Sequence, residues 1–190
     1  MTPRLATLEL QKCASVDDAV LGALSALPRG AGLELLNLTD CKALRAPRLV
    51  CARLRTLHLY NCLSLSALTL YCPALELLNL THCAELAAID LSCPKLATLL
   101  CAGCKRLPDA AMVHAIRTCG ALRTVDTKAC PLLSDATRAV VEELLQKPAA
   151  DCDEAWADEE GQGTTAPCEG GVVDSDGEGP TPVAKRVARV

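Results

Sequence analysis

Thirteen cysteines and three histidines hold most of the reactive chemistry available to this chain. Thiolates and imidazoles ligate structural zinc and act as nucleophiles and bases in many enzymes. Cys101 and Cys104 are the close pair with metal-like spacing. A structural zinc site needs four ligands, so a lone pair points to core packing instead. A thioredoxin-type redox motif would sit beside a βαβ pattern, whereas this pair closes a short alternating stretch. His58 lies in such a stretch, His82 in a turn just before Cys83, and His114 in an amphipathic helical segment, so the three do not converge. The chain has no glycine-rich phosphate loop and no serine-centred nucleophile elbow. The neighbouring carboxylates Asp17/Asp18 and Glu142/Glu143 belong to helix starts or solvated faces. The reading is therefore a non-enzymatic protein with no metal and no cofactor.

The cysteines make sense as columns of a repeat. The phrase Leu-x-x-Leu-x-Leu-x-x-Cys runs from Leu33 to Cys41, from Leu54 to Cys62 and from Leu75 to Cys83. Copies starting at 33, 54, 75 and 96 are 21 residues apart, and weaker copies start at Leu5 and Leu122. A fixed period of about 20 to 29 residues marks a leucine-rich repeat solenoid. Cys13, Cys41, Cys62, Cys83, Cys104 and Cys130 occupy one column, and Cys51, Cys72, Cys93 and Cys119 a second. Cysteine is a small residue that is often fully buried, which fits both columns to the interior. An odd cysteine count excludes a fully paired framework within one chain. Unpaired interior thiols suit a reducing compartment.

The alternating x-Leu-x-Leu-x core of each copy has the period of a half-buried strand. Leu36 and Leu38 should point inward, and Leu35, Asn37 and Thr39 outward, so that stacked copies form a parallel concave sheet. The return segments come in two kinds. After Cys41, Cys62 and Cys83 they are short and alternating (Leu44, Pro47, Leu49; Leu65, Leu68, Leu70; Leu86, Ile89, Leu91), which predicts convex strands. After Cys13, Cys104 and Cys130 the spacing predicts helices over Asp18–Leu27, Asp109–Thr118 and Asp135–Leu145, each opened by an Asp that can accept an orphan backbone N–H. The expected fold is an α/β leucine-rich repeat solenoid over residues 1–147, with about six repeats, a parallel concave sheet, and mixed short-strand and helical convex returns.

Residues 148–190 read as a disordered acidic tail with a basic extreme C-terminus. Asp151–Glu178 holds 10 of the 23 acids, and Lys185, Arg186 and Arg189 are three of the 19 bases, so the body keeps 16 bases against 13 acids. The dense basic cluster Arg45, Arg48, Arg53 and Arg55 is too small for specific nucleic-acid binding. It reads as a solvated surface or a patch for an acidic partner, with the acidic tail of the same molecule as a further candidate. Asp17 and Asp18 precede the apolar stretch Ala19–Leu27 where a signal peptide would carry positive charge, and no run has the ~18 apolar residues of a membrane span. The Asn37-Leu38-Thr39 and Asn79-Leu80-Thr81 sequons follow from the repeat and read as unglycosylated strand residues. Together these features predict a cytoplasmic or nuclear protein without a membrane partner.

The unit Leu-x-x-Leu-x-Leu-x-x-Cys-x-x-Leu-x-Asp, followed by a helix and Cys-Pro-x-Leu, resembles the cysteine-containing repeats of the F-box/LRR family. The matches are Cys104–Asp109, Cys130–Asp135 and the junctions Cys72-Pro73-Ala74-Leu75 and Cys93-Pro94-Lys95-Leu96, and the short units look like those of F-box/LRR 15-like proteins. The resemblance covers roughly residues 4–147. It implies a protein-interaction module that recognises substrates for a cullin-RING ubiquitin ligase. The first repeat opens at Leu5, so the F-box itself is absent ahead of it. The alternative expectation is a stand-alone structural or regulatory adaptor built from the same repeats. In either case a protein partner is expected on the concave face, with contacts at Asn37, Thr39, His58, Tyr60, Asn79, Thr81 and Leu100. Tyr60 and His58 stand near its centre, and aromatic anchors dominate many interfaces.

Overall fold

A computed structural model describes residues 5–26 and 32–146 of the chain. The expected tail at 148–190, with its basic end, lies outside these residues. The described elements are β1 (Thr7–Glu9), α1 (Asp18–Ala26), β2 (Leu35–Asn37), β3 (Arg48–Val50), β4 (Thr56–His58), β5 (Ala67–Tyr71), β6 (Leu77–Asn79), β7 (Ala88–Ser92), β8 (Thr98–Leu100), α2 (Asp109–Thr118), β9 (Thr124–Asp126) and α3 (Asp135–Gln146).

The strands form two wholly parallel sheets. The long sheet runs β1-β2-β4-β6-β8-β9, one strand from every copy of the phrase, and the return sheet runs β3-β5-β7. Each chain segment climbs one strand of the long sheet, turns, and comes back either through a return strand or through a helix. This is a repeat solenoid. Its register is the one that the leucine spacing demands: Leu8, Leu36, Leu57, Leu78, Leu99 and Val125 lie side by side. The four central members of that row are sealed from solvent, and so are Leu38, Leu59 and Leu80 one step further along. The return residues Leu44, Leu49, Leu65, Leu68, Leu70, Leu86, Ile89 and Leu91 close the core from the other side. Burying one leucine is worth about 1.5–3 kcal/mol, and no coil can bury its own row without a neighbour.

Apart from the half-buried Cys13, both cysteine columns are interior, and the first does more than fill space. Sγ of Cys41 donates to the Leu10 carbonyl at 3.1 Å, Cys62 to Leu38 at 3.3 Å, Cys83 to Leu59 at 3.0 Å, Cys104 to Leu80 at 3.2 Å and Cys130 to Cys101 at 3.0 Å. Each acceptor sits at the same position of the preceding coil. The carbonyls of Leu38, Leu80 and Cys101 also accept the backbone N–H of Cys41, Cys83 and Cys104, so the thiol is their second donor; a buried carbonyl without any partner costs about 1–3 kcal/mol, and cysteine is small enough to reach it and still offer a donor. Burial keeps these thiols protonated. It pushes Cys62 up to about 12 and raises Cys83 further still. Residue size and spacing predict packing alone for this column; the donor role emerges only once the coils are stacked.

Two of the aspartates that open the helical returns act between coils. The expectation that each caps its own helix is corrected: among the described residues no N–H of its own helix donates to Asp18, Asp109 or Asp135. Asp18 accepts the N–H groups of Arg45 at 3.0 Å and Ala46 at 2.9 Å, and Asp109 accepts that of Ser134 at 2.8 Å, all in the following coil. Capping falls to other residues. Asp17 takes the N–H groups of Ala19 and Val20, Ser134 takes that of Thr137, and α2 starts at Pro108 with no side-chain cap. The Ser25 hydroxyl accepts the N–H of Val50 at 3.0 Å, so α1 covers the edge of the return sheet where another strand would pair. No described helix is long and apolar enough to cross a membrane.

Candidate functional site on the long sheet

The outward face of the long sheet brings the expected contact residues together. Glu9, Asn37, His58, Asn79, Leu100 and Asp126 form one register row, with neighbouring members about 4.8 Å apart. A second row, Thr39, Tyr60, Thr81 and Ala102, lies just past the strand ends. There the N–H groups of Lys12, Asp40, Asn61 and His82 donate to those four carbonyls at 2.7–2.9 Å. The strands thus stop at Asn37, His58 and Asn79, two residues short of the predicted extent. In two of them the cause is visible: the Asn37 and Asn79 side-chain carbonyls accept the N–H of Thr39 at 3.1 Å and of Thr81 at 3.0 Å. These amides hold the turns, which leaves their side-chain N–H groups and one acceptor site on each carbonyl for a partner.

Each turn passes through a left-handed residue one position before the cysteine. These are Lys12, Asp40, Asn61, His82, Gly103 and Ala129, with φ from +56° to +74°. Asp, Asn and Gly tolerate that conformation best, and a column reading Asp-Asn-His-Gly in the central coils was a readable sign of it. The Asn61 side-chain amide donates to the Asp40 carboxylate of the preceding coil. The next member, His82, stands edge-on to Tyr60, with ring centroids 5.5 Å apart and planes at 79°. On its other side the imidazole covers Gly103, where an added Cβ would fall 2.5 Å from Nδ1.

His82 was not among the expected contact residues, yet it positions the one that was expected to matter most. Tyr60 keeps 38% of its surface open to solvent while its ring rests against His82. An aromatic pair of this kind is worth about 0.5–1.5 kcal/mol, enough to restrict the Tyr60 rotamers before anything binds. His58 and Leu100 are half-buried, as are Leu35 and Leu77 one step back along the strands. The four central strands therefore present tyrosine, histidine, amide, hydroxyl and leucine groups with no carboxylate, lysine or arginine in these two rows, while Glu9, Asp126 and Lys128 mark the ends.

The chemistry raised by the other reactive residues is placed as follows. His114 lies on α2, against the return sheet, 3.6 Å from Asp90. Cys101 is fully enclosed; its hydrogen bond to Cys104 and its burial push the thiol well up, which keeps it protonated. Among the described residues no group of three or more His, Cys, Asp or Glu side chains could hold a metal ion. Comparison with protein-family models, with curated proteins and with solved structures gave no match.

Proposed function

We propose that this chain is a non-enzymatic protein-interaction module of the leucine-rich repeat type, with its partner on the outward face of the long sheet. The observation that carries the reading is the pre-set Tyr60, clamped by His82 at the centre of a neutral, half-exposed sheet. Desolvating amides, hydroxyls and aliphatic groups costs far less than desolvating charges, and an anchor with restricted rotamers loses less entropy on binding. Neutral polar surface around an aromatic anchor matches the make-up of binding hot spots better than that of a catalytic pocket.

Substrate recognition for a cullin-RING ligase is the specific role that the F-box/LRR resemblance implies. Affinity capture from cell extract with the intact chain, followed by mass spectrometry, tests it. The expected result is a recurrent partner whose recovery falls severalfold with Tyr60→Ala, at an unchanged melting temperature. Recovery of cullin and its adaptor alongside that partner supports the ligase role, and their absence turns the assignment to the stand-alone adaptor. A partner retained equally by Tyr60→Ala and His58→Ala contradicts binding on this face.

A further inference from the structure

The return sheet has a surface of different chemistry. Its outward positions are Arg48 and Val50 on β3, Ala67, Thr69 and Tyr71 on β5, and Ala88, Asp90 and Ser92 on β7, in register across the three strands. Val50 and Tyr71 lie side by side, and Tyr71 is 58% exposed, the largest exposure among the described large hydrophobic side chains. Beside Tyr71 is a hollow of about 360 Å³, lined by Tyr71, Pro73, Ser92, Cys93, Pro94 and Thr118. The two prolines occupy the same repeat position in successive coils and wall it with rigid apolar rings.

Two of the residues that line this hollow have an exposed cation as their neighbour in the chain, and further exposed cations lie in the coils before it. Lys95 follows Pro94 directly, Arg117 precedes Thr118, and Arg53 holds the Lys95 position two coils earlier, with Ala74 between them. Arg48 stands on β3 next to Val50. Among the described residues none of these four cations is within salt-bridge distance of a carboxylate. Asp90, the single outward acid of the three strands, faces His114. An apolar hollow with exposed cations beside its lining residues calls for an anionic ligand that also carries an apolar group.

We propose that the return sheet docks an acidic peptide segment of a protein partner, with one apolar side chain of that segment seated in the hollow beside Tyr71. Carboxylates on either side of the anchor meet Lys95, Arg117 and Arg53. A peptide fits better than a nucleic acid. The cations are few and spread over several coils, whereas phosphate backbones are bound by denser basic surfaces with stacking platforms.

The test is fluorescence anisotropy of a fluorescein-labelled peptide, glutamates around one central leucine, titrated with the full chain at low salt. Saturable binding is expected. It should weaken about tenfold with Tyr71→Ser, as loss of an anchor does, and likewise when serine replaces the peptide leucine. The double variant Arg53→Glu, Lys95→Glu should abolish it. Ser92→Trp, which fills the hollow without removing a cation, gives an independent second block. All four side chains are exposed, so melting temperatures should hold. No saturable binding, equal binding of a lysine-for-glutamate peptide or an oligothymidylate, or indifference to both Tyr71→Ser and Ser92→Trp would overturn the proposal. So would equal sensitivity to His58→Ala, which would place the peptide on the long sheet.

Discussion

The first coil and the coils at 33–104 are written in the same phrase but do not have the same interior. Leu36, Leu57, Leu78 and Leu99 are sealed, whereas Leu8 and Leu10 are half-buried and Leu5 is 51% exposed. Cys41, Cys62, Cys83 and Cys104 each reach the carbonyl of the coil before, whereas Cys13 turns back to Gln11 in its own turn at a longer 3.6 Å. The residues are the same; the neighbours differ. A leucine or cysteine in this chain therefore contributes through the coil beneath it, and its position in the stack sets its worth.

Substitutions that contrast the two regions test this directly. The largest expected effect is Leu78→Asp. It buries an unpaired carboxylate in the middle of the row and should abolish the cooperative unfolding transition, since such burial costs several kcal/mol against a total stability of about 5–15 kcal/mol. The matching Leu8→Asp should leave a cooperative transition. Circular dichroism melts of the pair check this, and equal behaviour would break the comparison. Next comes Cys83→Ala, which strips the donor from the Leu59 carbonyl and should cost about 1–3 kcal/mol. Cys13→Ala should be near neutral, as read from urea midpoints.

The thiols also set a pH dependence. Burial raises Cys62 and Cys72 from 9.0 to about 12 and Cys93 to about 11. The folded state thus holds these protons more tightly than the unfolded chain. Their contribution is complete below the ordinary thiol value and is lost as pH rises through the folded ones. The urea midpoint should be flat between about pH 7 and 8.5 and fall by about pH 10.5, because the unfolded chain then releases protons that the fold retains. The fall should shrink when Cys62 and Cys72 are both replaced by serine. A modest loss is expected from Gly103→Ala, about 1 kcal/mol for a Cβ in the left-handed region. Its sharper sign is local: the new methyl displaces the His82 ring and frees Tyr60, which an NMR shift of the Tyr60 ring protons would register.

Much of the architecture was legible in the sequence because the leucine period fixes register. The same spacing that placed Leu36, Leu57 and Leu78 in one row also placed the return strands and, to within a residue, α2 and α3. Contacts between coils were not legible. Nothing in the local sequence says that Asp18 will bond Arg45 and Ala46 rather than cap α1, or that the Cys62 thiol will find Leu38, since both depend on how adjacent turns stack. The site was legible in part. The alternation brought His58 and Tyr60 to the outward face, but the side-chain carbonyls of Asn37 and Asn79 proved to hold turns. The role of His82 was not legible, because its contact with Tyr60 joins neighbouring coils.

Native-state amide hydrogen exchange reads the coil-to-coil ladder most directly. The N–H groups of Leu38, Leu59 and Leu80 donate to His58, Asn79 and Leu100 in the next coil at 2.7–2.8 Å. They should exchange only through global unfolding, with one shared free energy that drops together in Cys83→Ala, while the Leu10 amide, bonded to Asn37, exchanges faster through opening of the first coil. Rapid or mutually independent exchange at Leu59 and Leu80 would contradict a stack held by its neighbours.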